Sequence, residues 1–214
     1  MSTKPDDTKT WDLIHAERAA VADMLDALTP EQWAAPSLCA PWSVRETAAH
    51  IVNGGEQTKG RFFSHMARNA FRFNTMMDRD ARALAARPTA ELVERLRATT
   101  ETTNGPPAPA MTMLGEVLVH SEDIRRPLGL HADHDAVALT ACFEMFAKAS
   151  FPVGTKRRIE GLLVSAPDVG WSHGNGPEVS GPPITLLLAM TGRRVDVGDL
   201  TGDGVATFKG RMPG

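Results

Sequence analysis

Cysteine is scarce in this sequence: Cys39 and Cys142 stand far apart and form no CxxC pattern. That excludes a disulfide framework and a cysteine-rich zinc site, and two lone thiols suit a reducing compartment. Long hydrophobic runs are absent too. The longest apolar stretch, Ile184 to Met190, is far too short to span a bilayer. The opening residues Met1-Ser2-Thr3-Lys4-Pro5-Asp6-Asp7 are polar and contain no apolar run of signal-peptide length. The expected location is therefore cytoplasmic, with no membrane partner. A basic excess is also missing, since 23 Lys and Arg face 26 Asp and Glu for a net charge of −3. Nucleic acid and anionic surfaces are disfavoured as partners. The short clusters Arg125-Arg126, Lys156-Arg157-Arg158 and Arg193-Arg194 read as solvated edges. Nothing has the form of a nucleophile elbow, a P-loop or a dinucleotide fingerprint.

What is present is enough for a core. The chain has 214 residues, 42% of them hydrophobic, which needs no staples. Its composition changes near residue 150. Residues 1–151 are rich in Ala, Leu, Met, Arg and Glu and are expected to form a helical domain. Residues 152–214, where glycine and proline crowd in, are expected to form a small α+β module. No repeat or low-complexity tract interrupts either part.

Apolar spacing predicts a first helix from about Lys9 to Leu28. Thr29-Pro30-Glu31-Gln32 reads as a capping box opening a short helical turn, and Ser43-Val44-Arg45-Glu46 as a stronger one opening a helix that contains His50. A piece near Met76 to Ala86 precedes a helix capped by Thr89 and running to about Arg97. Gly105-Pro106-Pro107-Ala108-Pro109 must be a linker, and it delivers the chain to a helix from about Thr112 to Arg126. A last helix is expected over Asp135 to Ser150, which suggests an antiparallel bundle. In the tail, Arg158 to Ala166 and Val205 to Lys209 read as strands. Trp171 to Pro177 reads as a turn, and Pro183 opens a helix over Ile184 to Met190.

One helix carries chemistry. Glu116 and His120 lie four residues apart, on the side that also bears Met113, Val117 and Ile124. A core-facing glutamate is costly to bury unless a partner or a cation compensates it. His50, set among Ala48, Ala49, Ile51 and Val52, also points toward packing. Two imidazoles and a carboxylate from two helices make a metal-ligand set that leaves coordination positions open. Asp123 is placed to orient one of them from behind. The competing reading is ordinary: hydrogen-bonded core histidines, and a Glu–His pair of the kind common on helices. His15 and His65 are expected on helix surfaces, and Trp33 and Trp42 as core anchors.

Trp33, Ser37-Leu38-Cys39-Ala40-Pro41-Trp42-Ser43-Val44-Arg45-Glu46 and His50, taken with the segment Gly115 to Gly129, resemble the mycothiol-dependent maleylpyruvate isomerase family. That family belongs to the DinB-like metal-binding superfamily. The tail segments Gly176 to Pro182 and Thr191-Gly192-Arg193 resemble its small carboxy-terminal module. The resemblance implies an up-down four-helix bundle, mainly α, with zinc held by His50, Glu116 and His120. It also implies mycothiol, the low-molecular-weight thiol of actinobacteria, as a cofactor. A metal lowers the pKa of a bound thiol, and the thiolate then serves cis–trans isomerisation or S-transfer on a small electrophilic substrate. Arg193 is the expected catalytic arginine, suited to a substrate carboxylate; tying the tail in place is its alternative role. A zinc-dependent hydrolase and a non-enzymatic metal-binding stress-response protein are the competing functions. A monomer or homodimer is expected.

Overall fold

A computed structural model describes residues 5–212; the polar opening Met1 to Lys4 lies outside them. The chain forms two compact units, Asp6–Ala132 and Asp133–Gly214, the second also taking in Pro5. The composition shift near residue 151 therefore falls inside the second unit.

In the first unit, α1 (Asp7–Asp26) starts where Asp6 accepts a hydrogen bond from Lys9 N at 2.8 Å, slightly ahead of the expected start. α2 (Pro30–Ala34) and α3 (Val44–Glu56) open at the two expected capping boxes, with both reciprocal bonds present in each. α4 (Lys59–Arg68) is given no bounds by the sequence reading, which expects only that His65 lies on a helix surface; Thr58 caps it by accepting from Arg61 N at 3.2 Å. α5 (Phe73–Ala85) and α6 (Thr89–Arg97) follow. Thr89 is the first residue of α6 and not its cap, a place that Pro88 takes without a side-chain hydrogen bond. After the Pro-rich linker, α7 (Ala110–Arg125) runs into a single 3₁₀ turn, which Gly129 closes at φ 67°.

α1 lies against α6 and α7, while α3 lies against α5, α6 and α7. Val21, Leu25, Ala48, Val52, Leu92 and Val117 fill the space between them. Each such aliphatic side chain contributes roughly 1–3 kcal/mol on leaving water. Two polar features depart from expectation. Arg125, read as a solvated edge, is buried and lies 3.5 Å from Glu122. Arg18 of α1 is also buried, and its Nη1 donates to the Thr99 carbonyl at 2.9 Å.

The second unit begins with α8 (Ala136–Phe146), capped by Asp135. It continues through α9 (Thr155–Ile159), β1 (Leu163–Ala166), β2 (Trp171–Gly174), β3 (Glu178–Ser180), α10 (Pro183–Met190) and α11 (Val205–Gly210). β1 is the middle strand, antiparallel to β2 with Val164 opposite His173, and parallel to β3 with Val164 opposite Val179. α8 belongs here because Phe143 stacks on Trp171 at 4.4 Å and Glu144 accepts from the Trp171 indole at 3.0 Å.

Three expectations for the tail are corrected. The strand expected over Arg158 to Ala166 covers only Leu163–Ala166, because α9 occupies its front. The expected turn at Trp171 is itself strand β2 as far as Gly174. Val205 to Lys209 is helical: Phe208 N donates to the Gly204 carbonyl at 2.9 Å, and Phe208 is the one fully buried side chain of the segment. A single anchor suits one helical turn; a strand would have needed alternate residues inside.

Candidate metal centre

The capping box at Ser43 sets the start of α3, and with it the direction of every side chain beyond. Glu46 accepts from Ser43 N at 2.8 Å, and two turns later His50 faces the interior, 9% exposed. α7 brings Glu116 and His120 to the same place. His50 Nε2 lies 3.6 Å from Glu116 Oε1, and the rings of His50 and His120 are 4.7 Å apart, nearly perpendicular. The carboxylate fits there because α3 has Gly54 opposite it. A Cβ at that position would run into Glu116 Oε1. Burial pushes the Glu116 carboxyl upward from its ordinary value, opposed by the charges of His120 and Arg18.

Asp123, fully buried, lies 2.8 Å from His120 Nδ1. A carboxylate against one ring nitrogen fixes the orientation of the ring and directs the other nitrogen toward a ligand. Trp42 closes another side, with its ring 5.0 Å from that of His50 and its indole donating to Asp78 at 2.9 Å. That hydrogen bond, with Arg82 beside it, holds Asp78 below the usual carboxylate range.

Cys39 is the residue that sequence reasoning missed. Its thiol, one nitrogen of His120 and one oxygen of Asp123 all lie within 4.8 Å of one another. The loop before α3 puts it there: Leu38 N donates to the Asp123 carbonyl at 2.9 Å, and Ser37 Oγ donates to the Trp42 carbonyl at 2.9 Å. Among the described residues, Cys39, His120 and Asp123 are the group of three whose ligand atoms come within 4.8 Å of one another. His50 and Glu116 pair with each other at 3.6 Å, and the His50 ring lies beside that of His120. Asp123 already serves His120 Nδ1, which suits it to orienting rather than ligating.

The remaining candidates lie elsewhere. His15 is not simply on a surface, since its Nε2 is 3.0 Å from the Thr102 carbonyl. His65 pairs with Asp80 at 2.7 Å. Trp33 is a core residue as expected, whereas Trp42 serves the site. Arg193 belongs to the second unit, where its Nη1 donates to the Thr191 carbonyl at 3.2 Å.

A family model described as the mycothiol maleylpyruvate isomerase N-terminal domain matches residues 14–108. Over that span the chain is similar to such a domain. The match includes the Ser43 cap and His50 and stops short of Glu116 and His120. Two solved structures share the fold over 93% of this chain and 93% of theirs. One is a mycothiol-dependent maleylpyruvate isomerase, with TM-score 0.63 and 16% identity. The other is a histidine-to-alanine variant of a mycothiol-dependent maleylpyruvate isomerase, with TM-score 0.62 and 15% identity. At that identity the likeness carries the helical fold and its small carboxy-terminal module. No curated protein matches in sequence.

Proposed function

We propose that this protein is a zinc- and mycothiol-dependent enzyme that catalyses cis–trans isomerisation of a small electrophilic substrate or joins the thiol to it. The observation that carries this reading is the convergence of His50, Glu116 and His120 from two helices, with Asp123 behind His120. These donors fit a divalent cation. Two are imidazoles and one is a carboxylate that burial alone would disfavour, and Gly54 supplies the room that a larger residue would take from it. A zinc ion held there would lower the pKa of a bound thiol and supply thiolate at neutral pH. The match of residues 14–108 to the isomerase-type domain supports mycothiol as that thiol.

The protein's own groups have separable tasks. His50, Glu116 and His120 hold the cation. Asp123 keeps His120 in the orientation that ligation requires. Trp42 covers His50 and restricts water on that side. Arg193 is the guanidinium we propose for a substrate carboxylate, through bidentate hydrogen bonding.

One observation favours a second reading, a closed metal site without catalysis. Cys39 lies near enough to His120 to supply a further protein ligand. X-ray absorption on zinc-loaded protein separates the two. The enzyme reading expects no zinc–sulfur bond in thiol-free buffer and one such bond after mycothiol is added. A zinc–sulfur bond present without added thiol, and lost in Cys39→Ser, would instead establish the closed site.

A further inference from the structure

Beside His50 and Glu116 the first unit has a cavity of about 180 Å3. Its walls are mostly apolar, with Phe62 of α4, Phe73 and Met77 of α5, and Pro106 and Pro107 of the linker. No lysine or arginine is among the described residues that line it. Gln57 is also part of the lining. It follows the last residue of α3, two turns beyond His50, where the chain leaves the helix with φ −68° and ψ 137°. Its side chain is buried, with the residue only 2% exposed, and its Oε1 accepts no hydrogen bond from any described group.

A buried amide oxygen without a donor is unfavourable unless something else supplies one. The other side-chain amide of the lining is already engaged: Asn53 Oδ1 accepts from Arg61 Nη2 at 3.2 Å. We infer that Gln57 is a specificity-determining residue, accepting a hydrogen bond from an O–H or N–H on an uncharged, mainly apolar part of the ligand that fills this cavity. The assignment deepens the proposed function and rests on His50 and Glu116 being the reactive end of the site. It adds a substrate property that the metal ligands do not determine. The portion entering between Phe62, Phe73 and Met77 is compact and apolar and carries one donor. A carboxylate there would meet Gln57 Oε1 lone pair to lone pair, with no lysine or arginine among the described lining residues to compensate its charge.

Phenol and anisole form a matched probe pair, a flat apolar ring with and without a donor. Their affinities are measured by chemical-shift titration of the full chain, first stripped by chelator and then zinc-loaded. Phenol is expected to bind about tenfold more tightly than anisole, the worth of one hydrogen bond to an otherwise unsatisfied acceptor. The perturbed resonances should include the Gln57 side-chain amide. In Gln57→Leu the preference should vanish or reverse, while zinc binding stays stoichiometric. Equal affinity for the two probes in the unmodified protein, binding of neither, or a preference that survives Gln57→Leu each overturns the inference. The metal is titrated separately, so the two readings fail separately. A chain that discriminates the probes but takes up no zinc refutes the metal reading and leaves Gln57 in its role.

Discussion

The two units differ in what they bury. In Asp133–Gly214 the buried polar side chains among the described residues are three threonines, Thr155, Thr185 and Thr191. In Asp6–Ala132 they include Arg18, His50, Asn53, Gln57, Glu122, Asp123 and Arg125. A buried polar group costs roughly 1–3 kcal/mol when unpaired, and a charge costs more. The second unit holds together through apolar contact of Phe143 on Trp171 and short ladders around β1. The first unit buries polar and charged side chains as well as apolar ones. Its apolar layer of Val21, Leu25, Ala48, Val52, Leu92 and Val117 offsets the charged side chains beside it.

Substitutions can break that contrast. The largest effect is expected at His120. His120→Ala should abolish stoichiometric zinc binding, and Asp123→Asn should weaken it about 10–100-fold, both read by competition with a chromophoric chelator. Next comes the apolar unit. Trp171→Ala removes the ring stacked on Phe143 and should destabilise the protein by about 3–5 kcal/mol in denaturant titration. The folded fraction should still take up one zinc per chain, because no proposed ligand lies in that unit. A dependence of zinc stoichiometry on Trp171 would erase the contrast.

Gly54→Ala is smaller and more pointed. The added methyl meets Glu116 Oε1, so either the helix or the carboxylate must shift, at a cost of about 1–3 kcal/mol. If Glu116 is the group that moves, zinc affinity should fall along with stability. A variant that loses stability but keeps its affinity would remove Glu116 from the ligand set. The smallest effect belongs to the caps. Ser43→Ala and Thr29→Ala should each cost about 1 kcal/mol. Only Ser43→Ala should also weaken zinc, since α3 carries His50 and α2 carries no ligand.

Much of the first unit was legible before folding. Thr29 to Gln32 and Ser43 to Glu46 state their own capping chemistry, and Glu116 with His120 declares a polar pair on an otherwise apolar face. The bounds of α4 went unread because none of its residues is fully buried, so it leaves little core signature, although Thr58 marked its start. Val205 to Lys209 misled because a short helix pinned by Phe208 alone has the same composition as a strand. Cys39 and Gln57 carried no local signal of their roles. One sits in a loop and the other just past a helix end, and each acquires meaning from a neighbour distant in sequence.

Local sequence determined where helices begin and which side chains share a face, because caps and helical periodicity act over a few residues. Only tertiary structure decided which faces meet. It brought His50 of α3 to Glu116 and His120 of α7, placed Cys39 beside Asp123, and enclosed Gln57 among Phe62, Phe73 and Met77. Such convergence depends on how whole helices pack, and packing energy is shared among residues that lie far apart along the chain.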